Sequence, residues 1–308
     1  MNMTFRQLRL LLALADTGSI SAAARATHVT QPTASMQLRE AANAVGMPLY
    51  EVIGKRVHLT EAGKELARTA RAMSAEWEAF EQKIDGLKGL TRGRLKVAVV
   101  STAKYFVPRL LGSFCEKYPA IDISLEVLNR DGVVSRLADN LDDLYIMSMP
   151  PATFDLEDQV FMPNPLVVIG PHKKRPAHKG TMDLRELARS RFILREPGSG
   201  TRMATDAHFR RLRFNPEMKL ELGSNEAIRE AVAGGLGVAV ISQHALQGQA
   251  AGLGVAILDI KGFPLQSQWH VVHHKGKQLS PIATIFRDHL LKSSTLWRYG
   301  GTKEALIK

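Results

Sequence analysis

The stretch Ser21 to Arg39, reading SAAARATHVTQPTASMQLR, constrains this chain more than any other, because it spells two short helices around a tight turn. Ser21 is a good N-cap for the first helix, and Ala22, Ala23, Ala24 and Ala26 are small enough for a second helix to cross closely. Thr27, His28 and Val29 make the turn. Thr30 offers a capping oxygen and Pro32 falls in the next first turn, where a missing amide costs nothing, so the second helix is expected to start at Gln31. Its N-terminal face carries Thr30, Gln31, Pro32, Thr33, Ser35 and Met36 or Gln37, groups able to reach base edges in a major groove. Arg39, a turn later, suits a phosphate. Alanine-rich helical hairpins also occur in all-α domains that never touch DNA, so the following residues decide.

Residues 49 to 59, LYEVIGKRVHL, are two β-prone runs around Gly54-Lys55-Arg56, which predicts a hairpin with two cations, Lys55 and Arg56, at its tip. Such a wing beside a recognition helix is placed to hold flanking phosphates. Thr60 then caps a long helix with apolar residues at Leu66, Ala70, Met73, Trp77, Phe80, Ile84 and Leu87. The alternating spacing of four and three is an a/d seam that favours pairing with another helix, so Leu66, Met73, Trp77, Phe80, Ile84 and Leu87 are dimerisation candidates. The alternative is an amphipathic helix packed on its own domain. Gly86, Gly89 and Gly93 then interrupt the pattern and suggest a hinge.

A winged helix-turn-helix containing Thr30-Gln31-Pro32, followed by Leu59-Thr60-Glu61-Ala62-Gly63 and a linker helix, resembles the LysR-type transcriptional regulators, and the length fits that family end to end. Ser101-Thr102-Ala103-Lys104-Tyr105-Phe106, Leu144-Tyr145-Ile146-Met147, Leu194 through Arg202 (LREPGSGTR) and Gly223-Ser224-Asn225-Glu226-Ala227-Ile228 resemble the subgroup that regulates Calvin-cycle carbon-fixation operons. At Met36 many LysR-type proteins carry an arginine, so base contacts of other members do not transfer to that position. The resemblance implies an all-α winged helix-turn-helix with a linker helix, then an α/β effector domain of two subdomains with the type 2 periplasmic-binding-protein fold. It further implies a homodimer or homotetramer on operator DNA, contact with RNA polymerase, and an effector such as a phosphorylated sugar, phosphoenolpyruvate or NADPH.

Composition agrees with a binding protein. At 308 residues and 45% hydrophobic content the chain is long enough for two or three cored domains. One cysteine, Cys115, permits no intrachain disulfide, and neither a signal segment nor a twenty-residue apolar run is present, so a cytoplasmic location away from the membrane is expected. The net charge of +11 points to anionic partners, yet residues 1 to 93 hold 12 Lys and Arg against 9 Asp and Glu, whereas residues 171 to 213 hold 12 against 4. That segment, with its cluster Lys173, Lys174, Arg175 and Lys179, reads either as a solvated basic face or as a wall drawing in an anion.

From Leu95 onward short apolar strands alternate with amphipathic helices: LKVAVVS, a helix through Phe114, IDISLEVL, a helix near 133 to 139, and LYIMSM. The rhythm restarts with PLVVIG, a helix near 183 to 189, FILR, a helix from 201 to 212, MKLELG, a helix near 225 to 234 and VAVIS. WHVVHH and a helix from 281 to 291 are expected to return to the first half. The expected divisions are a DNA-binding domain at 1–60, a linker helix at 61–90 and an effector domain at 91–308, the last made of subdomain I (94–163 and 267–303) and subdomain II (164–266).

In open α/β sheets ligands gather at the carboxyl ends of strands. Ser101 and Thr102, Ser199-Gly200-Thr201, and Ser224 and Asn225 follow three such ends. The loop Arg195-Glu196-Pro197-Gly198-Ser199-Gly200-Thr201-Arg202 is the best anion candidate, with glycines for close approach, a helix N-terminus, and arginines at both ends. A plain strand-to-helix turn fits the same residues. Lys104, Asn129 and Arg130 are weaker candidates from the opposite wall.

Catalytic readings fare worse. Gly198-Ser199-Gly200 lacks the lysine and spacing of a P-loop, Pro197 spoils a Gly-x-Ser-x-Gly elbow, and no His-Glu-x-x-His occurs. His273 and His274 alternate across a strand and make a poor metal pair, while Met147, Met149 and Cys115 read as core fillers. No catalytic or metal residue is expected, and the chain reads as a metabolite-responsive activator of carbon-fixation genes. A LysR-type regulator of another operon, or a solute binder or enzyme on the two-lobed fold, are the alternatives.

Overall fold

Capping chemistry lays out the N-terminal helices. The Thr4 hydroxyl accepts from the Gln7 amide while the Gln7 side chain accepts from the Thr4 amide, and this reciprocal pair opens α1 (Phe5–Thr17). α2 (Ile20–Ala26) is capped by Ser19 and not by Ser21: Ser19 has the extended backbone a cap requires and its hydroxyl accepts from the Ala22 amide. Ser21 lies inside the helix and donates its hydroxyl to Gln31 Oε1 at 3.0 Å. α3 (Gln31–Val45) begins on Thr30 with Pro32 in its first turn. β1 (Tyr50–Ile53) and β2 (Arg56–Leu59) pair antiparallel with Ile53 opposite Arg56, which leaves a two-residue tip.

The structure, a computed structural model, describes residues 3–54, 56–87, 93–172, 180–248 and 250–293. The chain divides into two compact units, Met1–Glu81 with Asp139–Leu141, and Gln82–Ala138 with Asp142–Lys308.

In the first unit, Leu10, Leu11, Leu14, Ala23, Ala34, Leu38 and Leu49 form a buried core that also takes in Ala67 of α4 (Glu61–Leu87). The helix runs through Gly86 to Leu87; one helical glycine costs only about 1 kcal/mol and does not end it. Gly89 lies outside the described residues, and Gly93 opens the following strand. The seam divides in two. Ala70 is buried and Leu66 is partly buried against the core of the first unit. Met73, Trp77 and Phe80 remain 47%, 54% and 52% exposed in the single chain.

The second unit holds two five-stranded sheets. In the first, β3 (Gly93–Val100) lies parallel to β4 (Ile121–Leu128) and β5 (Leu144–Met147), and the later strands β6 (Leu156–Pro163) and β12 (Gln268–His274) complete the order β4-β3-β5-β12-β6. α5 (Val107–Lys117), α6 (Arg130–Ala138) and α9 (Pro281–Ser293) accompany it, with Trp269, Phe106, Phe114, Tyr145 and Phe286 buried in its core. In the second, β7 (Leu166–Pro171), β8 (Phe192–Arg195), β9 (Met218–Leu222), β10 (Val238–Ser242) and β11 (Val255–Leu258) take the order β11-β7-β10-β8-β9, with α7 (Gly200–Arg211) and α8 (Asn225–Ala233). The chain crosses between sheets twice, and the crossings bond to each other: the Asn164 amide donates to the Ser267 carbonyl at 2.8 Å and Leu166 bridges Leu265.

Two strands were not expected. β6, LEDQVFMP, is a sheet edge with three consecutive polar residues, and β11, VAIL, is a four-residue edge; neither carries the long apolar run of a central strand. The expected helix near 133 to 139 begins earlier, at Arg130, because Asn129 Oδ1 accepts from the Gly132 amide. That near 183 to 189 is a short 3-10 helix, Leu184–Arg189, opened by an Asp183–Glu186 capping pair.

Candidate functional site

The second helix of the pair presents its expected face. Ala34, Leu38 and Ala41 bury the inner side of α3, which leaves Thr30, Gln31, Pro32, Met36 and Arg39 exposed and Thr33 and Ser35 partly so. Some polar capacity is already used: the Thr30 and Thr33 hydroxyls bond each other at 2.8 Å, and Gln31 holds Ser21. Arg56 is exposed on the wing, whereas Lys55 lies outside the described residues, as do Lys173, Lys174, Arg175 and Lys179. The wing is stitched to the helices through the Val57 amide and the Gly18 carbonyl at 3.0 Å. Gly63 in the first turn of α4 has no room for a side chain, since a Cβ there would lie 1.8 Å from the Leu49 carbonyl oxygen.

In the second unit a pocket of about 330 Å³, counting the space at its open mouth, lies where the carboxyl ends of the two sheets meet. The first sheet's side supplies Val100, Ser101, Thr102, Arg130, Ser148 and Trp269, and the second sheet's side supplies Arg195, Glu196, Ser199, Gly200 and Thr201. Ser199 caps α7 by accepting from the Arg202 amide, so Gly200 and Thr201 sit where helix amides lack intrahelical partners. Gly200 leaves little room for a side chain: a Cβ would stand 2.5 Å from Ser148 Oγ and 3.1 Å from the Ser148 carbonyl. Two buried donors of the lining have no protein partner, Arg130 Nε and Trp269 Nε1. Arg130 spends Nη2 on the Met149 carbonyl at 3.1 Å.

Arg195 is different. Its side chain is 3% exposed and all its donors are used: Nε and Nη2 on the two Glu196 oxygens, Nη1 on Thr102 Oγ1 and Asn225 Oδ1, and Nη2 also on Ser101 Oγ and the Gly223 carbonyl. The guanidinium ties the hydroxyls after β3 to the start of α8. Asn225 reinforces the tie by donating to Thr102 Oγ1 at 3.1 Å.

Arg202 does not line the pocket. It bonds both Asp206 oxygens at 3.0 and 2.9 Å, the Arg195 carbonyl at 2.8 Å and Glu221 at 3.2 Å, so both arginines that bracket the glycine loop have protein partners of their own. The reason is local, because α7 places Asp206 one turn on from Arg202. Lys104, Asn129 and Ser224 also lie off the pocket: Lys104 pairs with Glu226 at 3.0 Å, Asn129 opens α6 and Ser224 caps α8. Burial disfavours the Glu226 charge, but hydrogen bonds from Tyr105, Lys104 and Ser224 outweigh it and hold the carboxyl at about 2. Burial, then the same carboxylate, pushes the Tyr105 phenol above its ordinary value.

His273 Nδ1 faces the His274 carbonyl at 3.0 Å and His274 Nε2 faces the Leu137 carbonyl at 2.6 Å. Met147 is buried and Met149 is 40% exposed. Among the described residues no cluster of three His, Cys, Asp or Glu could hold a metal, and no helix is long and apolar enough to cross a membrane.

Residues 5–64 match the bacterial regulatory helix-turn-helix protein family of lysR type, and residues 88–295 match the LysR substrate binding domain. The chain is a LysR-type transcriptional regulator. As a regulator it is not an enzyme, and the solute-binder alternative leaves residues 5–64 without a purpose. The regulator is 42% identical to the HTH-type transcriptional activator CmpR of Synechocystis sp. (strain ATCC 27184 / PCC 6803 / Kazusa), over 94% of this chain and 95% of that protein. It is 40% identical to the RuBisCO operon transcriptional regulator of Acidithiobacillus ferrooxidans, over 94% of each. The regulatory domain of Synechocystis PCC6803 CcmR, solved in complex with 2-PG, is 47% identical, covers 67% of this chain and 99% of its own, and superposes with a TM-score of 0.64.

Ser148 and Trp269 of the pocket escaped the sequence reading. Ser148 directly follows β5, a strand that was recognised, so the strand-end rule could have found it. Trp269 carries no such signal, since β12 enters the first sheet from far along the chain.

Proposed function

We propose that the regulator controls carbon-fixation genes and that a small anionic metabolite bound in the pocket between the two sheets sets its activity. The observation that carries this is the pocket itself: the start of α7 with Ser199 and Thr201, the hydroxyls of Ser101, Thr102 and Ser148, and an arginine with an unspent buried N–H converge there. The 47% identity to a regulatory domain solved with 2-PG, and the carbon-fixation names of the relatives, support the same reading. The anion is held by Arg130, Ser101, Thr102, Ser148 and the amides of Gly200 and Thr201, above the Arg195 guanidinium that Asn225 braces from behind.

The functional divisions are the reader at 1–60, the linker helix at 61–90 and the effector domain at 91–308. Thr30, Gln31, Thr33, Ser35 and Met36 face bases, and Arg39, Lys55 and Arg56 face phosphates. Two chains pair through Phe5, Met73, Trp77, Phe80 and Ile84, an apolar face that Phe5 and Trp77 already share at 6.2 Å between ring centroids. Pairing sets the spacing of two readers, in a dimer or tetramer, on a dyad operator in the cytoplasm. A ligand that favours one subdomain arrangement shifts that spacing and thereby contact with RNA polymerase.

Fluorescence anisotropy of the full chain on its own upstream intergenic DNA, at fixed salt, tests this. Specific binding should shift on adding 2-phosphoglycolate, phosphoenolpyruvate, ribulose bisphosphate or NADPH, and Arg130→Gln should abolish the shift. Specific binding that none of these alters would remove the effector assignment.

A further inference from the structure

A carboxylate stands inside a pocket otherwise furnished for an anion. Glu196 lines it, and both its oxygens accept from the Arg195 guanidinium, Nε to Oε2 at 2.7 Å and Nη2 to Oε1 at 2.8 Å. This is the two-pronged geometry that a carboxylate or phosphate ligand takes on arginine. The deepest cation of the pocket, 3% exposed, thus already holds an anion supplied by its sequence neighbour. Glu196 is 22% exposed, so its carboxylate stays within reach of solvent and of an incoming ligand.

We propose that Glu196 is a resident competitor for the effector: it occupies the fork of Arg195 until an anionic metabolite takes its place, and so sets the affinity and charge preference of the site. The inference rests on the anion reading of the pocket given above. With Glu196 seated, an approaching anion meets a neutral Arg195–Glu196 pair and is drawn only by Arg130 and the start of α7. Removing the Glu196 charge leaves that of Arg195 unbalanced a few Å from the anion, an attraction large enough at the edge of a protein to tighten binding by about tenfold. The exchange also reaches the contact between the two sheets, because the same guanidinium holds Ser101 and Thr102 across the pocket. A ligand that draws Arg195 away from Glu196 therefore acts on the bonds joining the two halves.

A purely positioning Glu196, one that only aims Arg195, has the opposite sign: its loss would weaken binding. Calorimetry on the full chain with phosphoenolpyruvate and 2-phosphoglycolate separates the two. Glu196→Gln should bind about tenfold tighter and with a steeper salt dependence, and Glu196→Asp should stay near wild type. Equal or weaker binding by Glu196→Gln overturns the proposal. A crystal structure of the unaltered protein with either anion is a second test that needs no variant. The Arg195 fork should be on the ligand with Glu196 displaced, and Glu196 still seated would overturn the proposal. Should the unaltered protein bind neither anion, the anion reading falls and this inference with it; should it bind while Glu196→Gln gains nothing, only this inference falls.

Discussion

Gly63→Ala should disable the DNA reader, and the structure gives the size of the effect. A Cβ at position 63 would lie 1.8 Å from the Leu49 carbonyl oxygen, inside the 3.0 Å that real contacts respect, so strand and helix must part by at least about 1.2 Å. That oxygen already accepts the Thr60 amide at 3.1 Å, and Thr60 Oγ1 donates to the Pro48 carbonyl at 2.6 Å. Separation breaks both bonds at about 1 kcal/mol each, and overpacking adds about 1–3 kcal/mol. The expected loss of roughly 3–5 kcal/mol is a large share of the stability of a small domain. Chemical denaturation of the full chain, with operator anisotropy at fixed salt, should find an early-melting transition and lost binding. Gly112→Ala in α5, where nothing lies within 4 Å of the new Cβ, is the control and should be neutral or stabilising. A Gly63→Ala protein that unfolds within about 1 kcal/mol of wild type, the low end of the overpacking cost, and binds DNA normally would refute the reasoning.

Trp77→Glu removes the centre of the exposed face of α4 but little that is buried in the single chain, so monomers should stay folded while dimers and high-affinity operator binding are lost; unchanged sedimentation would dismiss this face as the pairing surface. The Glu226 carboxyl is held at about 2, below its unfolded value, so its contribution is present above the usual carboxylate range and fades as pH falls toward 2. Glu226→Gln should therefore flatten the acid side of a melting-temperature profile between pH 4.5 and 2 while leaving the slope above it unchanged, and a variant profile parallel to wild type down to pH 2 would exclude the group.

Local signals carried the reader well. Thr30 and Pro32 announce the start of α3, Gly54 announces the hairpin, and Thr60 announces α4, because capping and turn chemistry act over three or four residues. The same locality explains the misplaced cap at Ser21: two serines two residues apart offer the same chemistry, and only the backbone angles at Ser19 select one. β6 was missed because its polar run Glu157-Asp158-Gln159 hides the strand pattern, and β11 because its four residues are too few to show one.

The helix-turn-helix, the wing, the long helix and the twofold α/β rhythm are legible in the residues alone, since each follows from spacing and caps within a short window. The sequence also pointed to Ser101, Thr102 and the 195–201 loop as ends of strands. The partners of the arginines became visible only in the folded chain. Arg195 and Arg202 look alike in the sequence, yet one is tied to Glu196 and to hydroxyls some 93 residues away, and the other to Asp206 and Glu221. The fold alone turned Leu66 inward while Trp77 faces out, and brought Trp269 beside Ser148. The physical reason is that partner choice for a charge, and burial for an apolar group, depend on neighbours in space, and spacing along the chain fixes only neighbours within a turn or a strand.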